Sequence, residues 1–300
     1  LYILHGLLGS SKNFLTPSHR LSLLPHFSSV TLLDLRGHGL SPHDSLSGTA
    51  TLTECAEDIA ETVGNGMDGA VVIGHSAGGK VALSYLERAL AARRREGKGL
   101  CGVGGGGVEY PLPSKLIILD SIPVSVPRGG PDDLVSTVLD SLGTVPLPAP
   151  SKSAVRSYLL EESRLPRHIA EWMTTNLVPT KTPPNEYYNV SDKRPTSNGN
   201  DNSNNGDNDD DKRTTPSSYV FTFDLPTCRS LYASFGLADF VPMLGSESFR
   251  ESGVEVHFVV AGGEMGRWVG TGGWGGVGRL VEEGGEGGEG RGEGRGSRGG

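Results

Sequence analysis

Residues 71–80 read VVIGHSAGGK: an apolar run, a serine between two glycines, then the start of a segment with helical periodicity. In a chain with 45 glycines among 300 residues the five-letter pattern Gly74-His75-Ser76-Ala77-Gly78 can arise by chance, so its surroundings carry the reading. An apolar strand before it and an amphipathic helix after it form the strand–turn–helix that lifts a serine hydroxyl above a sheet. Small residues suit a turn where strand and helix backbones pass close together, and the helix N-terminus offers its positive dipole to an oxyanion. Ser76 is therefore the candidate nucleophile. A serine that merely capped a helix would leave Gly78 and Gly79 without a reason.

Working outward, LYILHG (1–6) and VTLLDLRGHG (30–39) read as buried strands that end at glycines. AVVIG (70–74), KLIILD (115–120) and VEVHFVVAGG (254–263) complete a set of five. Between them LTECAEDIAETV places Leu52, Cys55, Ala56, Ile59, Ala60 and Val63 at helical spacing, and GGKVALSYLERAL does so with Val81, Tyr85, Leu86 and Ala89. Continuous apolar strands alternating with amphipathic helices predict an α/β fold, a mostly parallel sheet flanked by helices on both faces.

Composition excludes several classes. The net charge of −8 provides no basic stripe for a nucleic acid, and Arg93, Arg94 and Arg95 read as a solvated helix end. No apolar run approaches the length of a transmembrane segment, and no charged-then-apolar signal opens the chain. Cys55, Cys101 and Cys228 are too dispersed for a disulfide or zinc framework, and the acidic run 207–211 lacks the glutamate that would close a calcium loop. No metal and no cofactor is expected. Three stretches, the glycine-rich insertion 97–110, the polar tract 191–218 and the repetitive tail 284–300, hold too little apolar surface to offset their ordering entropy and are expected to be disordered. Leu1 already lies inside an apolar run, so the natural amino terminus is expected upstream.

Two further motifs converge on Ser76. In LHGLLGS, His5-Gly6 at a strand end followed by Leu7 and Leu8 fits a loop whose backbone faces the nucleophile, which makes the Leu7 and Ala77 N–H groups the expected oxyanion hole and His5 a structural residue. In DLRGHGLSP (34–42) a strand turns sharply through two glycines. In this order the three motifs resemble the α/β-hydrolase superfamily. HGLLGSSKNF, GHSAGGKVAL and LDSIPV are most similar to the α/β-hydrolase domain-containing protein 11 group and its bacterial esterase relatives. WMTTNLV (172–178) and YVFTFDL (219–225) resemble that group's cap region.

The resemblance implies an α/β-hydrolase core over 1–124 with the insertion 97–110, a helical cap over 125–245, a return to the sheet over 246–268 and a low-complexity tail over 269–300. It implies a serine esterase or lipase-like enzyme acting on a small ester or lipid-like molecule, in a mitochondrial or cytoplasmic setting. For the acid it points first to Asp120, with Asp224 and Glu264 as alternatives. The pattern fails at the base. No histidine follows His257, which sits mid-strand, and the family does not use His38 or His75 in that role. The end of the fold is therefore expected to be missing from the chain, with little turnover from the 300 residues as they stand. A non-catalytic binding or scaffold protein is the competing expectation.

Overall fold

A computed structural model of the chain describes residues 1–41, 50–96, 109–126, 133–180 and 218–260. The chain first runs through β1 (Tyr2–Leu4), α1 (Leu15–Ser22), β2 (Thr31–Leu33), α2 (Leu52–Val63), β3 (Val71–His75), α3 (Ala77–Glu96) and β4 (Lys115–Leu119). It then leaves the sheet through α4 (Leu134–Gly143), α5 (Lys152–Glu161), α6 (Arg167–Thr175), β5 (Leu177–Pro179), β6 (Tyr219–Phe221) and α7 (Leu225–Leu237). Short helices α8 (Val241–Leu244) and α9 (Glu247–Ser252) lead back to β7 (Glu255–Val259).

The five strands expected from the sequence form one sheet in the order β2-β1-β3-β4-β7, and every neighbouring pair is parallel. Parallel strands in the middle of such a sheet are covered on both faces, which explains the apolar runs of β1, β3 and β4, whereas the edge strand β7 alternates exposed Glu255, His257 and Val259 with buried Val256 and Phe258. The order reverses between β1 and β3, and in such sheets ligands bind beyond the strand C-termini at that switch point. There the His5–Leu7 loop and Ser76 emerge side by side.

Two helices show how sequence becomes packing. Thr51 caps α2 with a reciprocal box: its hydroxyl accepts the Glu54 N–H at 3.1 Å, and the Glu54 carboxylate accepts the Thr51 N–H at 2.8 Å. Leu52, Cys55, Ala56, Ile59 and Ala60 are then buried, as their spacing predicts, while Val63 is half-buried. On α3, Val81, Tyr85, Leu86 and Ala89 are buried in the same cluster, and each large apolar side chain so removed from water stabilises the fold by about 1.5–3 kcal/mol. Lys80 is also fully buried on α3. Its ammonium donates to the carbonyls of Val124, Phe235 and Ala238 at 2.7, 2.8 and 3.1 Å, tying the core to the end of α7. Burial lowers its pKa to about 8, with Asp239 opposing.

The segment between β4 and β7 builds a second apolar cluster from Val138, Leu139, Val155, Leu159, Met173, Leu177 and Phe223, and Leu8 of the loop after β1 belongs to it. It is not wholly helical: β5 and β6 pair antiparallel, Leu177 opposite Phe221. Residues 97–108 of the expected insertion, 191–217 of the polar tract, and the 261–300 stretch with Glu264 and the tail lie outside the described residues.

Candidate active site

Ser76 occupies the turn from β3 into α3 with φ 49°, in the left-handed region that costs a residue with a side chain about 1–2 kcal/mol. The turn is held in place locally. The Ser76 N–H donates to Leu119 O on β4 at 2.8 Å, and α3 passes so close to β1 that a Cβ on Gly78 would lie 2.5 Å from His5 O and 2.7 Å from Leu4 O. Gly78 thus lets the helix start where the hydroxyl must stand. Ala77 is the first residue of α3, so its N–H has no intrahelical acceptor.

Ser76 lies in the wall of a cavity of about 480 Å³ lined also by Gly6, Leu7, Phe14, Val138, Ile169 and Trp172. The lining is mostly apolar, with Asn13, Ser76 and His75 as its polar side chains. Burial lowers the pKa of the His75 imidazole, and the Asp120 carboxylate opposes that shift. No hydrogen bond joins Ser76 to His75 among the described residues.

Asp120 follows β4, one position beyond the Leu119–His75 register pair, and so stands beside Ser76 at the same sheet edge. It too is left-handed, at φ 50°, and its N–H donates to Val259 O at 2.8 Å. Its Oδ1 is buried without a hydrogen-bond partner among the described residues, so the carboxylate is not spent on capping a turn. A buried polar atom left unpaired costs about 1–3 kcal/mol, and such costs concentrate where chemistry uses them.

The other sequence candidates take different places. Asp224 is the N-cap of α7, accepting the Thr227 N–H at 2.9 Å and its hydroxyl at 2.5 Å. It does not line the cavity. His257 is exposed on β7 and pairs with Glu255 at 3.0 Å. Glu264 lies outside the described residues.

His5 and His38 form a reciprocal clasp. The His5 ring lies with Nδ1 against Gly6 O at 2.7 Å, which must be a donor contact, and so Nε2 accepts the Leu35 N–H at 3.0 Å. His38 repeats the arrangement in reverse: Nδ1 donates to Arg36 O at 3.0 Å and Nε2 accepts the Leu8 N–H at 3.2 Å. Each loop therefore lends an imidazole to the other loop's backbone. Asp34 reinforces them, its carboxylate accepting the N–H groups of Ser11 at 2.6 Å and Leu40 at 2.9 Å. Both rings must be neutral to accept, and burial lowers both pKa values, that of His38 to about 3. The Leu8 N–H is thereby occupied, while Leu7 lines the cavity.

The family model described as the Alpha/beta hydrolase family matches residues 1–244. The chain belongs to the alpha/beta hydrolase family. Within it the chain is 39% identical over 87 residues to a probable alcohol acetyltransferase of Saccharomyces cerevisiae, covering 29% of this chain and 25% of that protein. It is 38% identical over 85 residues to the sn-1-specific diacylglycerol lipase ABHD11 of Xenopus laevis, covering 28% and 26% respectively. These matches span about a quarter of the relatives' length. A solved marine microorganism esterase shares the hydrolase fold with a TM-score of 0.51, at 18% identity over 79% of this chain and 68% of its own. No described helix of this hydrolase-family chain is long and apolar enough to cross a membrane.

Asn176, which sequence reasoning placed only within a resemblance motif, joins the Leu7–Leu8 loop from the inserted segment. Its side-chain amide donates to Leu8 O at 3.0 Å across 168 residues. Nothing in local pattern signals such a contact.

Proposed function

We propose that the protein is a carboxylic ester hydrolase with Ser76 as nucleophile. Ser76 Oγ adds to the ester carbonyl while its proton passes to an imidazole, the Leu7 and Ala77 N–H groups hold the oxyanion, and the alcohol leaves carrying that proton. Water then cleaves the acyl-serine and restores the hydroxyl. Asp120 is the acid that orients the imidazole. Only protein groups and water are needed, with no cofactor. The mostly apolar cavity suits a neutral ester with an apolar, lipid-like acyl part.

The observation that carries this reading is the strained Ser76 itself, held left-handed at the switch point beside the Leu7 loop in the wall of an apolar cavity. A second reading, a ligand-binding protein without turnover, is favoured by one observation: among the described residues no imidazole is bonded to Ser76 or Asp120.

One experiment separates them. Hydrolysis of p-nitrophenyl butyrate is measured in wild type and Ser76→Ala with and without millimolar free imidazole, the Ser76→Ala rate being subtracted. The hydrolase reading expects a small Ser76-dependent rate that rises at least 10-fold with imidazole and saturates, with saturation lost in Asp120→Ala. Loss of a triad member costs about four orders of magnitude or more, so the window is wide. A folded wild type that never exceeds Ser76→Ala supports the binding reading.

A further inference from the structure

Leu8 has φ 59°, a conformation that a leucine keeps only where its surroundings over-determine it. Three contacts do so. Its N–H is taken by His38 Nε2, its carbonyl by the Asn176 side chain, and its side chain is buried among Val138, Met173 and Leu177. The two polar contacts share an origin. Asn176 lies between α6 and β5, and its backbone carbonyl accepts the Thr222 N–H at 2.9 Å. Thr222 O in turn accepts the Gly39 N–H at 2.8 Å, and the Asp224 N–H donates to Gly37 O at 2.8 Å, so residues 222–224 grip the turn that carries His38. The Cys228 thiol of α7 closes the cluster, 3.3 Å from His38 Nε2.

We propose that Asn176 and His38 are positioning residues for the oxyanion hole, and that the inserted segment uses them to fix Leu8 and so aim the Leu7 N–H at the carbonyl of the substrate. The inserted segment is then part of the catalytic geometry as well as a wall of the cavity. The inference rests on the reading of Leu7 as an oxyanion donor. An N–H displaced by about 1 Å loses on the order of 10–100-fold in rate while leaving ground-state binding alone.

The test uses Asn176→Asp, which keeps the shape but presents a carboxylate to Leu8 O, and the pair His38→Gln and His38→Leu, of which only glutamine retains an acceptor for Leu8 N–H. Folding is checked by thermal melting. In the presence of saturating free imidazole an alkyl fluorophosphonate labels Ser76, giving the maximal labelling rate and the half-saturating concentration separately, and amide exchange of Leu7 and Leu8 is followed by NMR. The expected result is a maximal rate reduced about 10–100-fold in Asn176→Asp and His38→Leu at a half-saturating concentration within about 3-fold of wild type, with faster Leu8 exchange and substantial recovery in His38→Gln. Wild-type labelling rate and Leu8 exchange in folded Asn176→Asp overturn the proposal, as does a loss that lies wholly in the half-saturating concentration. If wild type is never labelled at Ser76 even with imidazole present, the hydrolase reading fails on its own, and Leu8 exchange decides: acceleration in the variants supports the positioning role, unchanged exchange overturns it.

Discussion

The two loops that meet in the cavity are held in opposite ways. The Ser76 turn is fixed by its immediate neighbours in sequence and sheet: Gly78 against β1, the first turn of α3, and one hydrogen bond to β4. The Leu8 loop is fixed from a distance by His38, 30 residues away, and Asn176, 168 residues away. Both hold a side-chain-bearing residue in the left-handed region, so the strain is equal in kind. What differs is whether steric crowding or a polar clasp enforces it, and the two fail under different insults.

Crowding fails hardest. In Gly78→Ala the new Cβ would sit within 2.7 Å of the Leu4 and His5 carbonyl oxygens, which cannot swing aside as a side chain can. We expect a loss above about 4 kcal/mol, seen as insoluble expression or a collapsed urea midpoint. At Gly9, in the Leu8 loop, a Cβ meets the Asn13 side chain at 2.7 Å and Gly6 O at 3.0 Å. Asn13 can turn away, so Gly9→Ala is expected to cost only about 1–2 kcal/mol. Equal losses at the two glycines would break the distinction.

The polar clasp fails in acid. His38 is neutral in the fold because burial, then the neighbouring His5, outweigh the hydrogen bond to the Arg36 carbonyl and the Asp34 and Asp224 carboxylates that favour its charged form, and its pKa falls from 6.5 to about 3. Between those values the unfolded chain binds a proton that the native protein does not, so stability is full above about pH 6.5 and declines as pH falls toward 3. Each pH unit in that window is worth about 1.4 kcal/mol for this ring. From pH 7 to 4.5 we expect wild type to lose about 2–3 kcal/mol more than His38→Gln, measured by urea denaturation at both pH values. Parallel losses in the two proteins would show that the imidazole titrates freely.

The same contrast explains what could be read in the sequence. The five strands, the buried positions of α2 and α3 and the Ser76 turn all follow from residues within a few places of one another, where period and glycine spacing report packing directly. Asp120 was legible as the residue ending an apolar strand. Asp224, weighed beside it, stands directly before Leu225-Pro226-Thr227, an aspartate one residue ahead of a helix with proline near its start, and that signature of an N-cap was there to be used. The β5–β6 pair was not legible, being three residues on each side across a long polar tract. Asn176 was visible only as a letter in WMTTNLV, because a side chain that serves a backbone carbonyl 168 positions away leaves no periodicity. The role of DLRGHGLSP was likewise hidden until His38 could be seen facing Leu8.

The smallest effect isolates the strain itself. Glycine relieves the left-handed penalty of about 1–2 kcal/mol but makes the unfolded chain more flexible, which returns about 0.5–1 kcal/mol. At Ser76 little else changes, since its side chain makes no hydrogen bond among the described residues, so Ser76→Gly should be more stable than Ser76→Ala by up to about 1 kcal/mol. Leu8→Gly starts from nearly the same φ yet removes a side chain that is 3% exposed in the second apolar cluster. Losing that burial costs about 2–5 kcal/mol, which exceeds the relief, so this variant should be destabilised by about 1–4 kcal/mol. Chemical denaturation of the three variants gives both signs in one series. Stabilisation by glycine at both positions would mean that Leu8 is held by its backbone partners alone; destabilisation at both would mean that the Ser76 turn is not strained, and that its left-handed backbone needs no steric enforcement from Gly78.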